Sequence, residues 1–410
     1  MMPVRLMYDV SVIGAAMTYE TSKTGVYRVV IELLRELEKR EDVEIQLSNT
    51  SLPQFLNTTK KFIKKKGYPY QLSNELKYPL PHHLLGRGKR ILKKIYSTLG
   101  INNDSIIYDD QLYKNTDIFH SPFYKIPDEL KEYKHLSRCI TIHDLIPILY
   151  SDIHHKKGEM EETLLSIGDD YVICVSENTK NDLLNYDKTL NPDKVFVSYP
   201  AADQNIFYPC NNKDKFRKLK KKYGIPDNYF LTLCTLEPRK NLARLIRCFH
   251  DFISEYKVDE LSLVLVGSKG WQFDDIFYEM NHSEELRNKI IVTGHIPDED
   301  LAAIYSNAHS FYYLSLYEGF GLHPLEAMQC GVATVTSNRS SLPEVVKDAA
   351  ILVDPIDEDQ ICDVMHKLYN QSELRKLYQR KGRMRATEFS WANTAQEHVN
   401  IYRSIIENDS

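Results

Sequence analysis

An α/β architecture in two domains is what this sequence predicts, and three observations carry the prediction. The chain has 410 residues, long for one hydrophobic core, so two domains of about 200 residues each are expected. Short apolar runs alternate with segments of helical spacing from one end to the other. Many of those runs end in a turn holding Gly, Pro or charged residues, where α/β proteins place ligand contacts. Composition is ordinary for a globular protein, and a net charge of −5 argues against a general nucleic-acid binder. The seven cysteines are scattered, odd in number and form no CxxC pair, which points to a reducing compartment with neither structural zinc nor a disulfide scaffold. The N-terminus runs into Tyr8 and Asp9 without room for a signal peptide, and no stretch reaches the roughly 18 apolar residues of a membrane span. A cytoplasmic placement is expected, with peripheral membrane contact left open.

Taken in order, Val4 to Val10 is a candidate first strand. A loop ending Ser22-Lys-Thr-Gly-Val-Tyr-Arg28 leads into 29–39, where Val30, Leu33, Leu34 and Leu37 keep helical spacing. Strand, Gly-containing loop and helix together suggest a ligand at the carboxyl edge of a sheet. No GxGxxG is present, so a dinucleotide reading gains little, and turn chemistry accounts equally for Gly14 and Gly25. Ile118-Phe-His120-Ser121-Pro122 and Cys139-Ile-Thr-Ile-His143-Asp144-Leu-Ile-Pro147 are short apolar strands ending in polar loops. His143 is either a loop histidine bonded to Asp144 or a ligand contact, and spacing supports no Ser-His-Asp arrangement. Tyr171 to Ser176 is a further strand, with Ser176 or Asn178 placed to cap the helix that carries Leu183 and Leu184. Val195 to Tyr199 reads as the last strand of the first domain, 205–212 as the linker, and the charged segment 213–222 as a solvated helix.

Residues 60–94 hold eleven Lys or Arg against one acid, Glu75. Cations there interleave with apolar side chains, which suits contact with anionic lipid or a lipid-pyrophosphate acceptor. A solvated helix face explains the same residues, and no recognised nucleic-acid module accompanies them.

In the second half, Tyr229 to Leu236 is strand-like and opens onto Glu237-Pro238-Arg239-Lys240-Asn241 before a helix marked by Leu242, Leu245, Ile246 and Phe249. Two cations at a strand–helix turn suit a diphosphate, by neutralising it and stabilising the charge of a leaving group. A surface salt-bridge loop is the plainer account. Leu261 to Gly267 is a buried strand followed by Trp271, which packs under its loop or touches ligand. Ile290 to Gly294 leads through His295 and Pro297 into a capped amphipathic helix from Asp298. Ala350 to Val353 closes the alternation, and the segment from Phe389 to Ile406 has the spacing of a packed final helix.

Between these lies Ser315-Leu-Tyr-Glu-Gly-Phe-Gly-Leu-His-Pro-Leu-Glu-Ala-Met-Gln-Cys-Gly331, which sets Glu318 and Glu326 eight apart around Gly319-Phe320-Gly321. An apolar run, Phe311 to Leu316, precedes it as a buried strand, and His323 to Cys330 follows as a short helix opened by a Pro. Glycines permit a close backbone approach, and the helix start offers N–H groups to an anion. A phosphate-bearing ligand with two carboxylates reaching nearby hydroxyls fits this arrangement. A Glu cap and a Gly turn are the plainer account.

Glu-Gly-Phe-Gly-x-x-x-x-Glu followed by Ala-x-x-x-Gly resembles the signature of retaining glycosyltransferases of family GT4. The resemblance extends over nearly the whole chain and is strongest from 229 to 355. It implies the GT-B fold: two Rossmann-like domains facing across a cleft. Residues 1–205 would form the acceptor-binding domain and 206–388 the nucleotide-sugar-binding domain, with the helix in 389–410 crossing back onto the first. Glu326 would bind the donor ribose and Glu318 the donor sugar, while Gly319, Phe320, Gly321 and Leu322 lie near phosphate and sugar. His-Asp-Leu-Ile-Pro looks like the loop whose His143 sits beside the transferred sugar. Members of the family place donor diphosphate and acceptor near the loop that Thr24, Gly25 and Arg28 match loosely, and the resemblance would put His295 near the nucleotide base. In the donor-phosphate segment the family's commoner form begins Gly-Arg and ends Glu-Lys-Gly. Here those positions hold Cys234-Thr235 and Arg239-Lys240-Asn241, which gives the diphosphate role to Lys240 and Arg239 and resembles bacterial mannosyl- and related surface-polysaccharide transferases.

The chemistry so implied is front-face transfer with retention, from a nucleotide-diphosphate sugar to a glycan or polyprenyl-linked glycan. GDP-mannose is the first donor to consider, ahead of GDP-fucose, UDP-sugars and dTDP-rhamnose. No bound metal or cofactor is expected, since Asp109-Asp110 and Asp169-Asp170 lack a convincing ligand set. A GT-B epimerase or phosphorylase is an alternative enzyme, and a silent nucleotide-sugar-binding subunit is an alternative of another class.

Overall fold

The structure, a computed structural model, describes residues 2–18, 25–50, 55–68, 72–76, 106–151, 157–268, 270, 274–281 and 287–409. Thr24, Trp271 and the basic stretch 77–94 lie outside the described residues. Two six-stranded parallel sheets organise the chain. The first contains β1 (Val4–Asp9), β2 (Val43–Ser48), β5 (Ile118–Ser121), β6 (Ser137–Ile142), β7 (Tyr171–Cys174) and β8 (Val195–Val197), in the order β2-β1-β5-β6-β7-β8. Between β2 and β5 in sequence, β3 (Asn74–Leu76) and β4 (Ile106–Tyr108) pair antiparallel as a separate ribbon.

The second sheet contains β9 (Tyr229–Leu233), β10 (Ser262–Val266), β11 (Ile290–Gly294), β12 (Ser310–Tyr313), β13 (Thr334–Ser337) and β14 (Ile351–Val353). Its order, β11-β10-β9-β12-β13-β14, is that of a doubly wound sheet. Strand order reverses between β9 and β12 there, and between β1 and β5 in the first sheet. Crevices outside the carboxyl ends of the strands at such points are where ligands bind. The central strands are covered on both faces, so they read as unbroken apolar runs: every residue of β5, β7, β12 and β13 is buried.

Two differences from the sequence expectation bear on the site. The helix placed at 29–39 begins at Gly25 and ends at Leu37, which brings Gly25 and Arg28 into its first turn. The helix Asp298–Ser306 has Pro297 at its cap with no side-chain capping bond; the Asp298 carboxylate instead accepts from Arg28 at 2.9 Å. Edge strand β2 was not anticipated, although Val43, Ile45 and Leu47 alternate with Glu44 and Gln46.

The final helix, Trp391–Asp409, packs on the helix Gly25–Leu37 and on β1 and β6 of the first sheet. Tyr402 meets His120 at 2.7 Å, Arg403 donates to Asp42 at 2.7 Å, and Thr394 donates to the Tyr199 carbonyl at 2.7 Å. One of two apolar clusters among the described residues runs from β1 through Phe207 to β9 and beyond, so the two sheets share packing rather than only a tether, and the other lies on the first sheet around Met7, Phe119 and Val172.

Candidate active site

Two turns meet at the switch point of the second sheet. After β9 the chain makes a short 3-10 turn at Pro238–Lys240 and leaves through Asn241, whose φ of 59° is left-handed. Gly or Asn is what such a backbone tolerates, and the Asn241 amide also donates to the Pro355 carbonyl at 2.7 Å. After β12 the chain enters the motif, and Leu316 N–H donates to the Arg239 carbonyl at 2.9 Å. This stitches the two turns together.

Glu318 is the centre of the resulting cluster. Its Oε1 accepts from Lys240 at 2.6 Å, Arg239 at 2.9 Å and the Tyr313 hydroxyl at 2.9 Å. Arg239 also donates to Glu237 at 2.5 Å and to the Tyr317 carbonyl at 2.6 Å. Burial pushes the Glu318 carboxyl up, but Arg239 and Lys240 outweigh it and hold the group down to about 2. The carboxylate therefore stays charged throughout the neutral range and holds both cations in fixed places. Ser340 and Ser341 fix the surrounding backbone: Glu318 N–H donates to the Ser340 hydroxyl at 2.9 Å, and Ser341 donates to the carbonyls of Glu318 and Phe320 at 2.9 and 2.7 Å.

Glu326, on the helix Leu322–Gln329, is 1% exposed. It accepts from Arg28 at 2.7 Å, His323 Nδ1 at 2.9 Å and the Tyr305 hydroxyl at 3.3 Å. Burial opposes its ionisation, while His323 and Arg28 prevail and lower it.

At Gly319 the first domain meets this motif with neutral groups, whereas elsewhere along it Arg28 reaches Glu326 and Asp182 accepts from the Tyr317 hydroxyl at 2.6 Å. Ser176 and Thr179, at the start of the helix Glu177–Tyr186, both donate to the Gly319 carbonyl, at 2.6 and 3.1 Å. A Cβ on Gly319 would stand 1.9 Å from the His143 carbonyl oxygen, so only glycine allows this approach. His143 itself is partly exposed, with Nε2 2.8 Å from the Pro122 carbonyl and its ring edge-on to Phe123. That carbonyl can only accept, so Nε2 carries the proton and Nδ1 is left as an acceptor. Burial lowers the His143 pKa despite the Pro122 carbonyl and Asp144, which raise it.

The structure thus brings Glu318, Arg239, Lys240, Gly319 and the His143 loop together. Phe320 turns its ring onto Tyr199 and Phe389, and Gly321 has a φ of 112°. Leu322 opens the helix and lies beside Gly25, whose added Cβ would be 3.6 Å from it. His295 is exposed in the turn after edge strand β11, which β10 and β9 separate from β12. Tyr313, Ser340, Ser341, Ser176 and Thr179 were not singled out as contacts of the site. Nothing in local spacing marks the four hydroxyl residues Ser340, Ser341, Ser176 and Thr179, because their partners come from another turn or from the other domain, while Tyr313, five residues before Glu318, was read only as part of a buried strand. Cavities of about 390 Å³ at Tyr199, Glu344 and Arg385 and about 470 Å³ at Arg5, Asp117 and Arg403 lie apart from this charged cluster. Among the described residues no group of three or more His, Cys, Asp or Glu is placed to hold a metal ion.

Residues 215–385 match the family model described as glycosyl transferases group 1. O-antigen chain mannosyltransferase B of Escherichia coli is 31% identical over 294 residues, covering 70% of this chain and 74% of that protein. The chain belongs to the group 1 glycosyltransferases. This glycosyltransferase also shares 29% identity over 295 residues with the serotype-specific mannosyltransferase WbdA of Escherichia coli, of whose length it spans 36%. Among solved structures, sucrose-phosphate synthase from Thermosynechococcus elongatus superposes with a TM-score of 0.69 at 17% identity, covering 99% of this chain and 100% of that one. A glycosyltransferase from Rickettsia africae gives 0.67 at 16% identity, covering 99% of each chain. These likenesses extend over both sheets and identify the fold as GT-B. The motif around Glu318 and Glu326 falls inside the matched segment.

Proposed function

We propose that this glycosyltransferase moves a hexose or deoxyhexose, with retention, from a nucleotide-diphosphate sugar to a glycan or polyprenyl-linked glycan in surface polysaccharide synthesis. Mannose from GDP-mannose is the first donor in this reading, supported by relatives named as mannosyltransferases of O-antigen chains. The observation that carries it is the closure of Arg239 and Lys240 on one oxygen of Glu318, opposite the His143 loop. Cations already fixed in place stabilise a departing diphosphate without reorganising during the reaction. Glu318 and His143 face the donor sugar, Glu326 holds the ribose, and the backbone from Gly319 to Leu322 lies along sugar and phosphate. Gly25 borders the donor from the first domain, and His295 is assigned to the base. In transfer, the acceptor hydroxyl oxygen bonds to the anomeric carbon on the face from which the phosphate oxygen departs, and its proton passes to that oxygen. Excluding water matters more here than a strong protein base, and the two domains meeting at Gly319 serve that end.

In the same reading residues 1–205 bind the acceptor, 206–388 bind the donor, and 389–410 tie the second domain to the first. Placement is cytoplasmic, at the inner face of the membrane. No helix among the described residues is long and apolar enough to cross a membrane. The helix Leu56–Lys66 presents Lys60, Lys61, Lys64, Lys65 and Lys66 outward, but buries Leu56, Phe62 and Ile63. Its contribution to contact with anionic lipid through 60–94 is therefore electrostatic and salt-sensitive. Incubation with GDP-mannose, GDP-fucose, UDP-glucose and dTDP-rhamnose, with polyprenyl-linked acceptors and linkage analysis of the product, tests the reading. An α-linked mannosyl product from GDP-mannose is expected. Nucleotide release with inversion, or binding of donors without any transfer, sinks it.

A further inference from the structure

Glu326 is held by a residue from the opposite domain. Arg28 reaches it from the first turn of the helix Gly25–Leu37, with its guanidinium over the Phe207 ring at 5.2 Å and a second bond to Asp298 at 2.9 Å. The inference rests on the ribose role of Glu326. An ionised carboxylate offers roughly four acceptor sites. Three are taken: by Arg28, by the Tyr305 hydroxyl and by His323 Nδ1. Holding both ribose hydroxyls needs two. Tyr305 is fully buried, and His323 sits one turn before Glu326 on the same helix. Arg28 is the donor that crosses between domains, and so the one that relative movement of the domains can remove.

We propose that Arg28 is a placeholder for the donor ribose: the Arg28–Glu326 pair and a ribose held through both hydroxyls exclude one another. Donor entry then requires the guanidinium to leave Glu326, with Asp298 as its remaining anchor. Arg28 keeps the buried carboxylate paired and oriented until the donor arrives, at the cost of apparent affinity. It is a positioning residue, acting through Glu326 rather than on the reacting atoms.

Calorimetric titration decides this, using UDP, GDP and ADP, each beside its 2′,3′-dideoxy counterpart, with the wild-type chain, Arg28→Ala, Arg28→Lys and Glu326→Gln. If about nine-tenths of the molecules hold the pair, Arg28→Ala tightens the bound ribonucleotide by about tenfold. Its dideoxy counterpart, which asks nothing of Glu326, binds Arg28→Ala and wild type alike. Arg28→Lys gives a smaller gain, because a lysine keeps the charge but loses the two-armed contact. Should Arg28→Ala lose its native circular dichroism, Arg28→Met replaces it, keeping the packing on Phe207 without a donor for Glu326, with a gain of the same sign. An unchanged or weakened ribonucleotide affinity, with the preference over the dideoxy form intact, overturns the placeholder and leaves the ribose role standing. Equal binding of both forms by wild type and Glu326→Gln overturns the ribose role and the placeholder with it. Binding of no nucleotide by any variant overturns both.

Discussion

On the C-terminal side of the cleft, Arg239 and Lys240 close on a buried, ionised Glu318, whereas on the N-terminal side Ser176, Thr179 and the His143 backbone meet the same motif with neutral groups. Charged groups cross from that side at the flanks of Gly319, Arg28 to Glu326 and Asp182 to the Tyr317 hydroxyl. In the proposed reading the difference teaches that charge stabilisation is built into one domain, while the other supplies closure and shape. An electrostatic half must be rigid before the substrate arrives, since dipoles and charges that reorganise during transfer waste their effect. A closing half must be able to part from it, and neutral hydrogen bonds of about 1 kcal/mol each are suited to repeated making and breaking.

The largest test of this contrast is Glu318→Ala. It leaves Arg239 and Lys240 buried with their shared partner removed, a change that costs about 3–5 kcal/mol in buried pairs. Transfer should fall by about two to three orders of magnitude, the scale on which preorganised electrostatic groups act. Thermal unfolding and kcat/KM measured on the same preparation read both effects. Ser176→Ala, from the neutral side, should cost about tenfold or less in transfer with a small change in Tm. A larger loss of transfer from Ser176→Ala than from Glu318→Ala would reverse the comparison.

Next in size is a pair of glycines that both touch the motif. In Gly319→Ala the new methyl meets the His143 carbonyl at 1.9 Å, a backbone atom that cannot turn aside. The domains must separate locally, and if the proposed site is right, a misplacement of about 1 Å there costs on the order of a hundredfold in rate. In Gly25→Ala the methyl meets only the Leu322 Cδ1 at 3.6 Å, an ordinary contact in the first turn of a helix. Its stability should stay within about 0.5 kcal/mol of wild type, with kcat unchanged within a factor of about three. Rates falling equally in both variants would mean that the neutral side does more than close.

What was legible in the sequence follows the same division. Glu318 and Glu326 stand in one unbroken motif, and strands buried on both faces announce themselves as apolar runs. Arg239 and Lys240 were readable because a strand, a turn and a helix frame them within a few residues. Arg28 and Glu326 are 298 residues apart, and Ser176 and Gly319 are 143 apart. No local pattern encodes such pairs; they exist only because the two sheets face each other. Edge strand β2 escaped for a different reason, since its alternation of Val43, Ile45 and Leu47 with polar residues is too short to stand out.

Acid should separate the two halves by the smallest and most graded effect. Burial lowers His398 to about 4, and burial, then His398 and His143, holds His120 well below the usual histidine value. Both lie where the final helix packs on the first sheet, His120 against Thr141 and Tyr402, His398 against Ser198 and the Thr394 carbonyl. Because their folded pKa values are depressed, the unfolded chain takes up protons first as pH falls below about 6.5. Stability contributed by these neutral histidines is therefore present above that value and is lost on the way down to about 4 for His398. Each group adds a slope of up to about 1.4 kcal/mol per pH unit. Glu318, held down to about 2, keeps its contribution until pH falls below about 4.5 and loses it only between there and its folded value. Hydrogen exchange at pH 7, 6 and 5 should accordingly show protection fading fastest along β1, β5, β6 and the final helix, where two such histidines meet, and more slowly at β9 and β12, where burial lowers His309 to about 4. His398→Gln should flatten that loss by about one histidine's slope. Earlier fading at β9 and β12 would place the acid-sensitive contacts in the charged half and undo the contrast.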